Sequence, residues 1–234
     1  MKWNRKFNYT SLNRIPVNGS RHYAVGQHRL PSVSTILSKT KSIEDKAALA
    51  AWIARVGEKE SERIKNAASA NGTKMHSIIE IYLKGRENLD LLKTEEEAGL
   101  AKQMADKIIS EGIQGKVNEV HGVECPIYYD SPKGWAGTAD LVATYESQLS
   151  ICDFKQKNSI MKETYSSYHE YMTQIAGYSL AHDKLYGSTI TQGVILLATT
   201  DLVFQIFRID HEKLKEYQKK FLDRVEQYYS LIID

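Results

Sequence analysis

The chain has 234 residues, of which 42% are hydrophobic and 26% are charged, and this balance is typical of a globular protein with a sizeable core. Two cysteines in a chain of this length argue against a disulfide framework, so we expect a reducing, intracellular compartment. They also cannot alone supply a four-cysteine zinc or iron–sulfur site. No apolar stretch approaches the ~20 residues of a membrane-spanning helix. We therefore expect a cytoplasmic protein, with a mitochondrial location as the alternative because the N-terminus is basic.

Positive charge is concentrated near the N-terminus, although the net charge is only +2. Eight lysines and arginines precede the first acidic residue, Glu44, and the rest of the chain holds 23 basic and 29 acidic residues. A basic arm on an acidic body predicts a polyanionic partner such as nucleic acid, but a solvated terminal segment would carry the same charges. We divide the chain into a basic N-terminal arm, residues 1–43, and a main domain, residues 44–234.

The N-terminal half combines a turn signal with helical periodicity. Asn18-Gly19 predicts a β-hairpin. A first helix is predicted at residues 43–70, with a bend at Gly57. An apolar stripe predicts a second helix at residues 75–83, and a third helix is placed at residues 94–111.

The C-terminal half begins with a change to period two, which predicts consecutive strands. These strands lie at residues 123–129, 135–145 and 148–154. They are followed by a helix at 161–186, strands at 192–198 and 202–209, and a helix at 211–230. This order predicts the α/β class, with a mixed central sheet flanked by helices.

Acidic residues interrupt two of the predicted strands. Asp140 lies inside an apolar strand, where an aspartate is disfavoured unless it is paired or binds a metal. Asp153 and Lys155 lie two residues apart in the next strand and share one face, although alone they could be a simple ion pair. Antiparallel pairing of the strands would bring Asp140 close to Asp153. Two adjacent carboxylates repel unless a cation or a proton lies between them, and Mg²⁺ favours oxygen ligands of this kind.

Two predicted helices carry further polar residues. His76 and Glu80 are four apart on the flank of an apolar stripe, a pattern that a half-buried histidine and a surface glutamate would also give. Gly72, expected near the start of that helix, would let a backbone or a phosphate approach. Gln174 and Tyr178 are also four apart, and Tyr178 could be a core residue whose hydroxyl needs a partner.

Together these residues resemble the RecB-like branch of the PD-(D/E)-x-K nuclease superfamily. The branch motifs are matched in order by Gly72-Thr73-x-x-His76-x-x-x-Glu80, Gly137-x-x-Asp140, Asp153-x-Lys155 and Gln174-x-x-x-Tyr178. The mitochondrial genome maintenance exonuclease family and its bacteriophage relatives are similar also in Leu30-Pro31-Ser32-Val33-Ser34-x-Ile36-Leu37, Trp52 and Arg55-Val56-Gly57. The resemblance covers about residues 20–200 and departs at Gln156, where the family often has Thr or Ser.

The resemblance implies a restriction-endonuclease-like fold and a metal-dependent exonuclease. The enzyme would hydrolyse phosphodiester bonds of DNA, at single-stranded ends, with Mg²⁺ or Mn²⁺ as cofactor and with replication or recombination proteins as partners. The resemblance also implies a viral source, with the protein in the host cytoplasm, or a mitochondrial setting. The implied metal ligands are His76, Asp140, Asp153, the carbonyl of Phe154, and Glu80. The implied catalytic residues are Asp140, Asp153, Lys155, Glu80, Gln174 and Tyr178. A lysine beside the metal should have a lowered pKa, which suits a base that activates water.

The nucleic-acid-binding residues are predicted to be Arg29, Ser32, Ser34, Thr73, Trp135 and Lys157. The resemblance implies that the two serine hydroxyls hold a phosphate or a strand end. The basic residues would give salt-dependent affinity, and Trp135 would stack on a base.

Other functions stay open at this point. An endonuclease or flap nuclease with the same site would cut closed circular DNA, which an exonuclease cannot. A non-catalytic DNA-binding module could retain the fold, and a structural metal-binding protein would need no nucleic acid. The joint presence of Asp140, Asp153 and Lys155 favours catalysis over the binding module, and the basic arm favours a nucleic-acid partner over a purely structural metal site.

Overall fold

Nine strands and six α-helices make up the described part of this computed structural model, residues 1–85 and 95–233. The strands are β1 (Lys2–Trp3), β2 (Asn13–Val17), β3 (Ser20–Val25), β4 (His28–Pro31), β5 (Val117–Tyr129), β6 (Trp135–Tyr145), β7 (Gln148–Lys157), β8 (Gln192–Thr199) and β9 (Phe204–Ile209). The helices are α1 (Val33–Lys39), α2 (Ile43–Val56), α3 (Glu58–Leu83), α4 (Glu95–Lys107), α5 (Ser166–Tyr186) and α6 (His211–Ile233), and a π-helical segment, Ile108–Ile113, follows α4. None of these described helices is long and apolar enough to cross a membrane.

Six strands form a central mixed sheet in the order β1-β5-β6-β7-β8-β9. Neighbouring strands are antiparallel, except that β1 is parallel to β5 and β7 to β8. Helix α5 supplies the crossover that parallel β7 and β8 require. One face of the sheet packs against α1, α5 and α6, and the other against α3, α4 and the π-helical segment. The predicted α/β class with a helix-flanked mixed sheet is confirmed, and the arrangement is consistent with a restriction-endonuclease-like fold.

The remaining strands, β2, β3 and β4, form a small antiparallel sheet. Asn18 and Gly19 have φ values of 48° and 72°, as a type I′ hairpin turn requires, so the predicted hairpin is confirmed. Tyr23 and Leu30 of the small sheet pack against Ala136 of β6. The small sheet therefore lies against the strand that carries Asp140.

The helix boundaries in the N-terminal half differ from the predicted ones. Gly57 has a φ of 87° and divides the first predicted helix into α2 and α3. Helix α3 then continues to Leu83, so Gly72 lies inside a helix and the prediction that it lies near a helix start is wrong. The third predicted helix corresponds to α4 with the π-helical segment, and its expected first residue, Thr94, lies outside the described residues.

The later elements follow the predictions more closely. Strand β6 has the predicted bounds, and Gly187, with a φ of 60°, follows the end of α5 as expected. Helix α5 begins at Ser166, after the predicted start. Strand β5 begins at Val117, well before the predicted start, and this extension places Glu124 inside a long strand.

Candidate active site

A cavity of about 480 Å³ is lined by side chains from α3, α5, the small sheet and strands β5, β6 and β7. It contains His76 and all the residues predicted to be catalytic, namely Glu80, Asp140, Asp153, Lys155, Gln174 and Tyr178. Of the residues predicted to bind nucleic acid, Ser32, Ser34 and Thr73 line it, whereas Arg29, Trp135 and Lys157 do not. Motifs that are far apart in the sequence thus meet in one cavity.

The strands are irregular where they carry acidic residues. Glu124 has a φ of 51°, a conformation that is uncommon outside glycine and is often found at functional sites. The pairs on either side, Val123 with Leu141 and Cys125 with Ala139, place Glu124 opposite Asp140. Ala139 and Leu141 pack into the cores on opposite faces of the sheet, although residues two apart share a face in a regular strand. The irregularity turns the side chains of both acids towards the cavity.

Strands β6 and β7 stop pairing at the level of the two aspartates. Their last pair at this end is Leu141 with Cys152, directly before Asp140 and Asp153 would come opposite each other. Asp140 Oδ2 instead accepts a hydrogen bond from the backbone N–H of Phe154 at 2.8 Å. The two carboxylates therefore lie where the sheet opens, and they remain only 9% and 1% exposed.

His76 lies on α3 beside this opening. Its Nε2 donates a hydrogen bond to the carbonyl oxygen of Phe154 at 2.9 Å, and its Nδ1 lies 3.5 Å from Asp140 Oδ2. Burial lowers the pKa of His76, although the charge of Asp153 opposes this. The lowered pKa favours the neutral imidazole, and because Nε2 is the donor, Nδ1 then presents a lone pair to the Asp140 carboxyl group. Two such acceptors repel unless a proton or a cation lies between them.

A third acceptor completes this cluster. Ligand atoms of His76, Glu124 and Asp140 all lie within 4.8 Å of one another. Burial raises the pKa of Asp140 well above its usual value, and the charge of Asp153 adds to the rise. Burial, with the charge of Glu80, also raises the pKa of Glu124. Imidazole nitrogen and carboxylate oxygen are suitable ligands for divalent ions, and a cation would offset this repulsion, so the donor set fits a divalent metal.

Glu124 lies outside every motif on which the sequence-based prediction of the site rests. The signal that could have identified it is the one that identified Asp140, an acidic residue inside an apolar strand. Its importance depends on the register between β5 and β6, which puts the two acids opposite each other.

The other predicted metal ligands have partners of their own. Asp153 forms an ion pair with Lys155, and Glu80 forms one with Lys84, the residue that follows α3. Both acids still line the cavity. Metal binding by Asp153, by Glu80 and by the Phe154 carbonyl stays a prediction.

A second group of polar side chains surrounds the lysine. Besides its ion pair with Asp153, Lys155 donates a hydrogen bond to Gln174 Oε1 at 3.2 Å, and Gln174 Nε2 donates one to the Tyr178 hydroxyl at 2.9 Å. The centroid of the Tyr171 ring lies 4.9 Å from the Lys155 ammonium. These contacts join β7 to α5 and hold the ammonium at the cavity wall.

The pKa of Lys155 differs from the sequence-based expectation. Burial alone would lower this pKa, but the charges of Asp153 and Asp140 outweigh burial and raise it. The expected lowering presumed a cation beside the ammonium. The protein groups alone keep Lys155 protonated, as a donor that can face a phosphate oxygen.

Packing explains which residues occupy two positions, Gly137 within one motif and Gln156 directly after another. A Cβ atom on Gly137 would lie 2.5 Å from the Tyr178 ring, so the glycine lets the tyrosine pack directly on β6. Gln156, where the family often has Thr or Ser, donates a hydrogen bond to the Ala68 carbonyl of α3. This contact ties β7 to the helix that carries His76.

The predicted nucleic-acid-binding residues have different surroundings. Ser34 and Thr73 are exposed on the cavity wall. Ser32 is only 2% exposed, and its hydroxyl caps α1 by accepting a backbone hydrogen bond. Arg29 is exposed on β4 away from the cavity, and Lys157 donates its hydrogen bond to a serine of α5. The part these residues play in DNA binding stays a prediction.

Trp135 cannot stack on a base. It is 1% exposed, its Nε1 donates a hydrogen bond to the Gly177 carbonyl at 2.9 Å, and its ring stacks on Tyr129 at a centroid distance of 4.3 Å. The prediction for this residue is wrong because the whole indole lies in the core between β6 and α5.

No family model and no curated protein sequence matches this chain. Solved structures that are similar include a candidate exonuclease from Eubacterium rectale, with 17% identity, a TM-score of 0.48, and coverage of 71% of this chain and 66% of that one. The chain thus spans just under two thirds of that protein. The protein SSO0001 has 10% identity, a TM-score of 0.32, and coverage of 64% of this chain and 70% of that one. Because both similarities are this low, the function of this chain rests on its own site.

Proposed function

We propose that this chain is a metal-dependent exonuclease that hydrolyses phosphodiester bonds at the ends of single-stranded DNA, in replication or recombination. The observation that carries the proposal is the cluster of His76, Glu124 and Asp140 beside the Asp153–Lys155 ion pair in one cavity. Phosphodiester hydrolysis needs an activated water and groups that offset the charge of the phosphate. The two sets of side chains supply groups of both kinds.

Each set would contribute differently. His76, Asp140 and Glu124 would hold the Mg²⁺ or Mn²⁺ ion, which when bound lowers the pKa of a water and offsets phosphate charge. The Lys155 ammonium would donate a hydrogen bond to an oxygen of the scissile phosphate and stabilise the charge that develops there. Asp153 would keep this ammonium charged and in place.

Gln174 and Tyr178 would position the phosphate relative to the lysine. Gln174 Oε1 accepts from Lys155 while its Nε2 donates to the Tyr178 hydroxyl, and this arrangement leaves the tyrosine proton available to a phosphate oxygen. A substrate that contacts Tyr178 is thereby aligned with the ammonium.

The direct test is cleavage of an end-labelled linear single strand with Mg²⁺ or with EDTA. We expect Mg²⁺-dependent loss of the strand that is abolished in Lys155→Ala and retained in Lys213→Ala, which removes an exposed lysine of α6. A closed circular single strand should stay intact, and its cleavage would indicate an endonuclease or flap nuclease with the same site. Absence of cleavage in both Mg²⁺ and Mn²⁺, despite DNA binding, would contradict catalysis and indicate a DNA-binding module.

The choice of single-stranded DNA and of a role in replication or recombination is supported by the motif resemblance, including the Leu30–Ser34 segment. Rates on a single DNA strand, a blunt duplex of the same sequence and the matching RNA strand test the substrate. We expect the DNA strand to be degraded fastest. An equal rate on the duplex would contradict the single-strand preference.

A further inference from the structure

Two arginines of the small sheet, Arg14 in β2 and Arg21 in β3, line the same cavity as the acidic residues. Arg14 pairs across the sheet with Tyr23, and Tyr23 lies two residues from Arg21 on its own strand. Residues that are directly opposite, and residues that are two apart, share one face of a sheet. The three side chains therefore form one surface that faces the cavity.

This surface is anchored to the strand that carries Asp140. The Tyr23 hydroxyl and Arg14 Nη2 each lie 3.3 Å from Thr138 Oγ1. The Arg14 guanidinium also lies 5.9 Å from the centroid of the Tyr23 ring. Because Thr138 and Asp140 are two residues apart in β6, the arginine is held close to the acidic cluster.

Neither arginine forms an ion pair within the described residues, although the charge of Arg14 opposes the rise in the pKa of Glu124. Within residues 1–85 and 95–233, the side chains of Arg63, Arg208 and Arg224 form ion pairs with glutamates, whereas those of Arg14 and Arg21 form none. Both of the cavity arginines are exposed. Their guanidinium groups are therefore available to an anionic ligand that enters the cavity.

A DNA strand would meet an unfavourable charge distribution without them. Four acidic residues line the cavity, and they would repel the phosphates that flank the one being cleaved; they are Glu80, Glu124, Asp140 and Asp153. Lys155 and the divalent ion would act at the scissile phosphate itself. A guanidinium group binds phosphate with two parallel hydrogen bonds, so paired arginines on one face suit a flanking phosphate.

We propose that Arg14 and Arg21 form a phosphate clamp, which binds the phosphodiester next to the one that is cleaved. The preferred substrate is then a strand with at least one phosphate beyond the scissile bond. This inference rests on the proposed function, because the function defines which phosphate is cleaved.

Binding can be measured without cleavage, which separates the clamp from the proposed function. The probe is a fluorescent 12-nucleotide oligothymidylate in EDTA, with its Kd followed by anisotropy over a range of salt concentrations. Each phosphate contact to a single strand contributes ~0.7 to the slope of log K against log salt. We expect Arg14→Gln and Arg21→Gln each to reduce the slope by about this amount. Arg5→Gln, which removes an exposed arginine outside the cavity, should leave the slope unchanged.

Cleavage of short and long substrates locates the contact. On the oligothymidylate, each cavity variant should lower kcat/KM about 10-fold or more, as expected for a lost hydrogen bond to a charged group. On the p-nitrophenyl ester of thymidine 5′-monophosphate, which has a single phosphodiester, kcat/KM should stay within twofold of wild type. Arg21→Lys retains the positive charge but cannot form two parallel hydrogen bonds to a phosphate. It should therefore keep the wild-type salt slope, while its kcat/KM on the oligothymidylate stays below that of wild type.

Three results would overturn the clamp: an unchanged salt slope in both cavity variants, a slope that falls equally in Arg5→Gln, or equal losses of kcat/KM on the long and short substrates. A wild-type protein that binds the oligonucleotide with the expected slopes but cleaves nothing would refute the proposed function and leave the phosphate-binding surface supported. Thermal unfolding of each variant, expected within 2 °C of wild type because these side chains are exposed, checks that the fold is retained.

Discussion

The two sides of the cavity hold their charged groups in opposite ways. On the side formed by α3, β5 and β6, His76, Glu124 and Asp140 bring an imidazole nitrogen and two carboxylates together. On the side formed by β7 and α5, Asp153 and Lys155 neutralise each other. The first side needs a cation or a proton to offset the repulsion between its acceptors, whereas the second side carries its own counter-charge. The comparison indicates that charge removal should have opposite effects on the two sides.

Lys155→Met tests the second side and should have the largest effect on stability. The variant keeps the aliphatic stem but leaves Asp153, which is 1% exposed, without its counter-charge. Removal of one partner from a buried ion pair typically costs about 3 kcal/mol or more. We expect the free energy of unfolding in EDTA, measured with urea, to fall by that amount. A change below ~1 kcal/mol would show that Asp153 does not depend on the lysine.

His182 shows how a buried histidine behaves when its partners are complete, in contrast to His76. Its ring nitrogens contact the Tyr9 hydroxyl at 2.9 Å and Ser188 Oγ at 2.7 Å. Burial, with a smaller effect of the charge of His121, lowers its pKa from 6.5 to about 4. The unfolded chain then binds the proton more readily. The stability that this histidine contributes is therefore present above pH 6.5 and is lost as the pH falls towards 4, by up to ~3 kcal/mol.

The measurement is urea unfolding at pH 7.5 and pH 4.5 for wild type and His182→Asn. Between pH 7.5 and pH 4.5, the free energy of unfolding should fall less in the variant than in wild type. If both proteins lose the same stability between the two pH values, the assignment to His182 is incorrect.

Gly137→Ala would overpack the contact between Gly137 of β6 and Tyr178 of α5, which joins the two sides of the cavity. The added Cβ would lie 2.5 Å from the Tyr178 ring, and overpacking of this kind typically costs ~1–3 kcal/mol. Gly72→Ala is the matched control, since its Cβ would make an ordinary contact at 3.6 Å and alanine is the better helix former. Thermal unfolding should show a lower Tm for the first variant and an equal or higher Tm for the second. Equal Tm values would contradict the packing account.

Glu124→Gln tests the first side and should give the smallest effect, of opposite sign to Lys155→Met. It removes one of the clustered carboxylates, so we expect the free energy of unfolding in EDTA to rise by ~1 kcal/mol. Glu119→Gln is the control on the same strand, where the carboxylate pairs with Lys2 and its loss should not stabilise the chain. Urea unfolding of both variants decides the question. If Glu124→Gln is less stable than wild type, the neighbouring acceptors do not destabilise the native chain by repelling Glu124.

Residues of the candidate site could be predicted from the sequence where their type is unusual for the helix or strand that contains them. Asp140 is an acid inside an apolar strand, and Asp153 and Lys155 share a face of the next strand, so their proximity follows from period two and one antiparallel turn. The hairpin at Asn18-Gly19 follows from the φ values that these two residues adopt readily. Such features depend on local rules, and the structure has them as predicted.

Other features depend on register and packing, which a single sequence does not specify. Glu124 gains its place from the pairing of β5 with β6. Trp135 carries no signal that separates a stacking platform from a core indole, and contacts with α5 decide that it is core. Arg14 and Arg21 contribute only to the basic charge of the N-terminal segment until the small sheet places them at the cavity.

The central claim is that His76, Glu124 and Asp140 hold the divalent ion on which strand cleavage depends. The most direct measurement is single-turnover cleavage of an end-labelled DNA strand as a function of Mg²⁺ concentration, in wild type, Glu124→Gln and Glu119→Gln. We predict no cleavage in EDTA, saturation with Mg²⁺ in wild type and Glu119→Gln, and a half-saturating Mg²⁺ concentration at least ~10-fold higher in Glu124→Gln, as the loss of one charged ligand implies. Cleavage in EDTA, or the same Mg²⁺ dependence in all three proteins, would contradict the account.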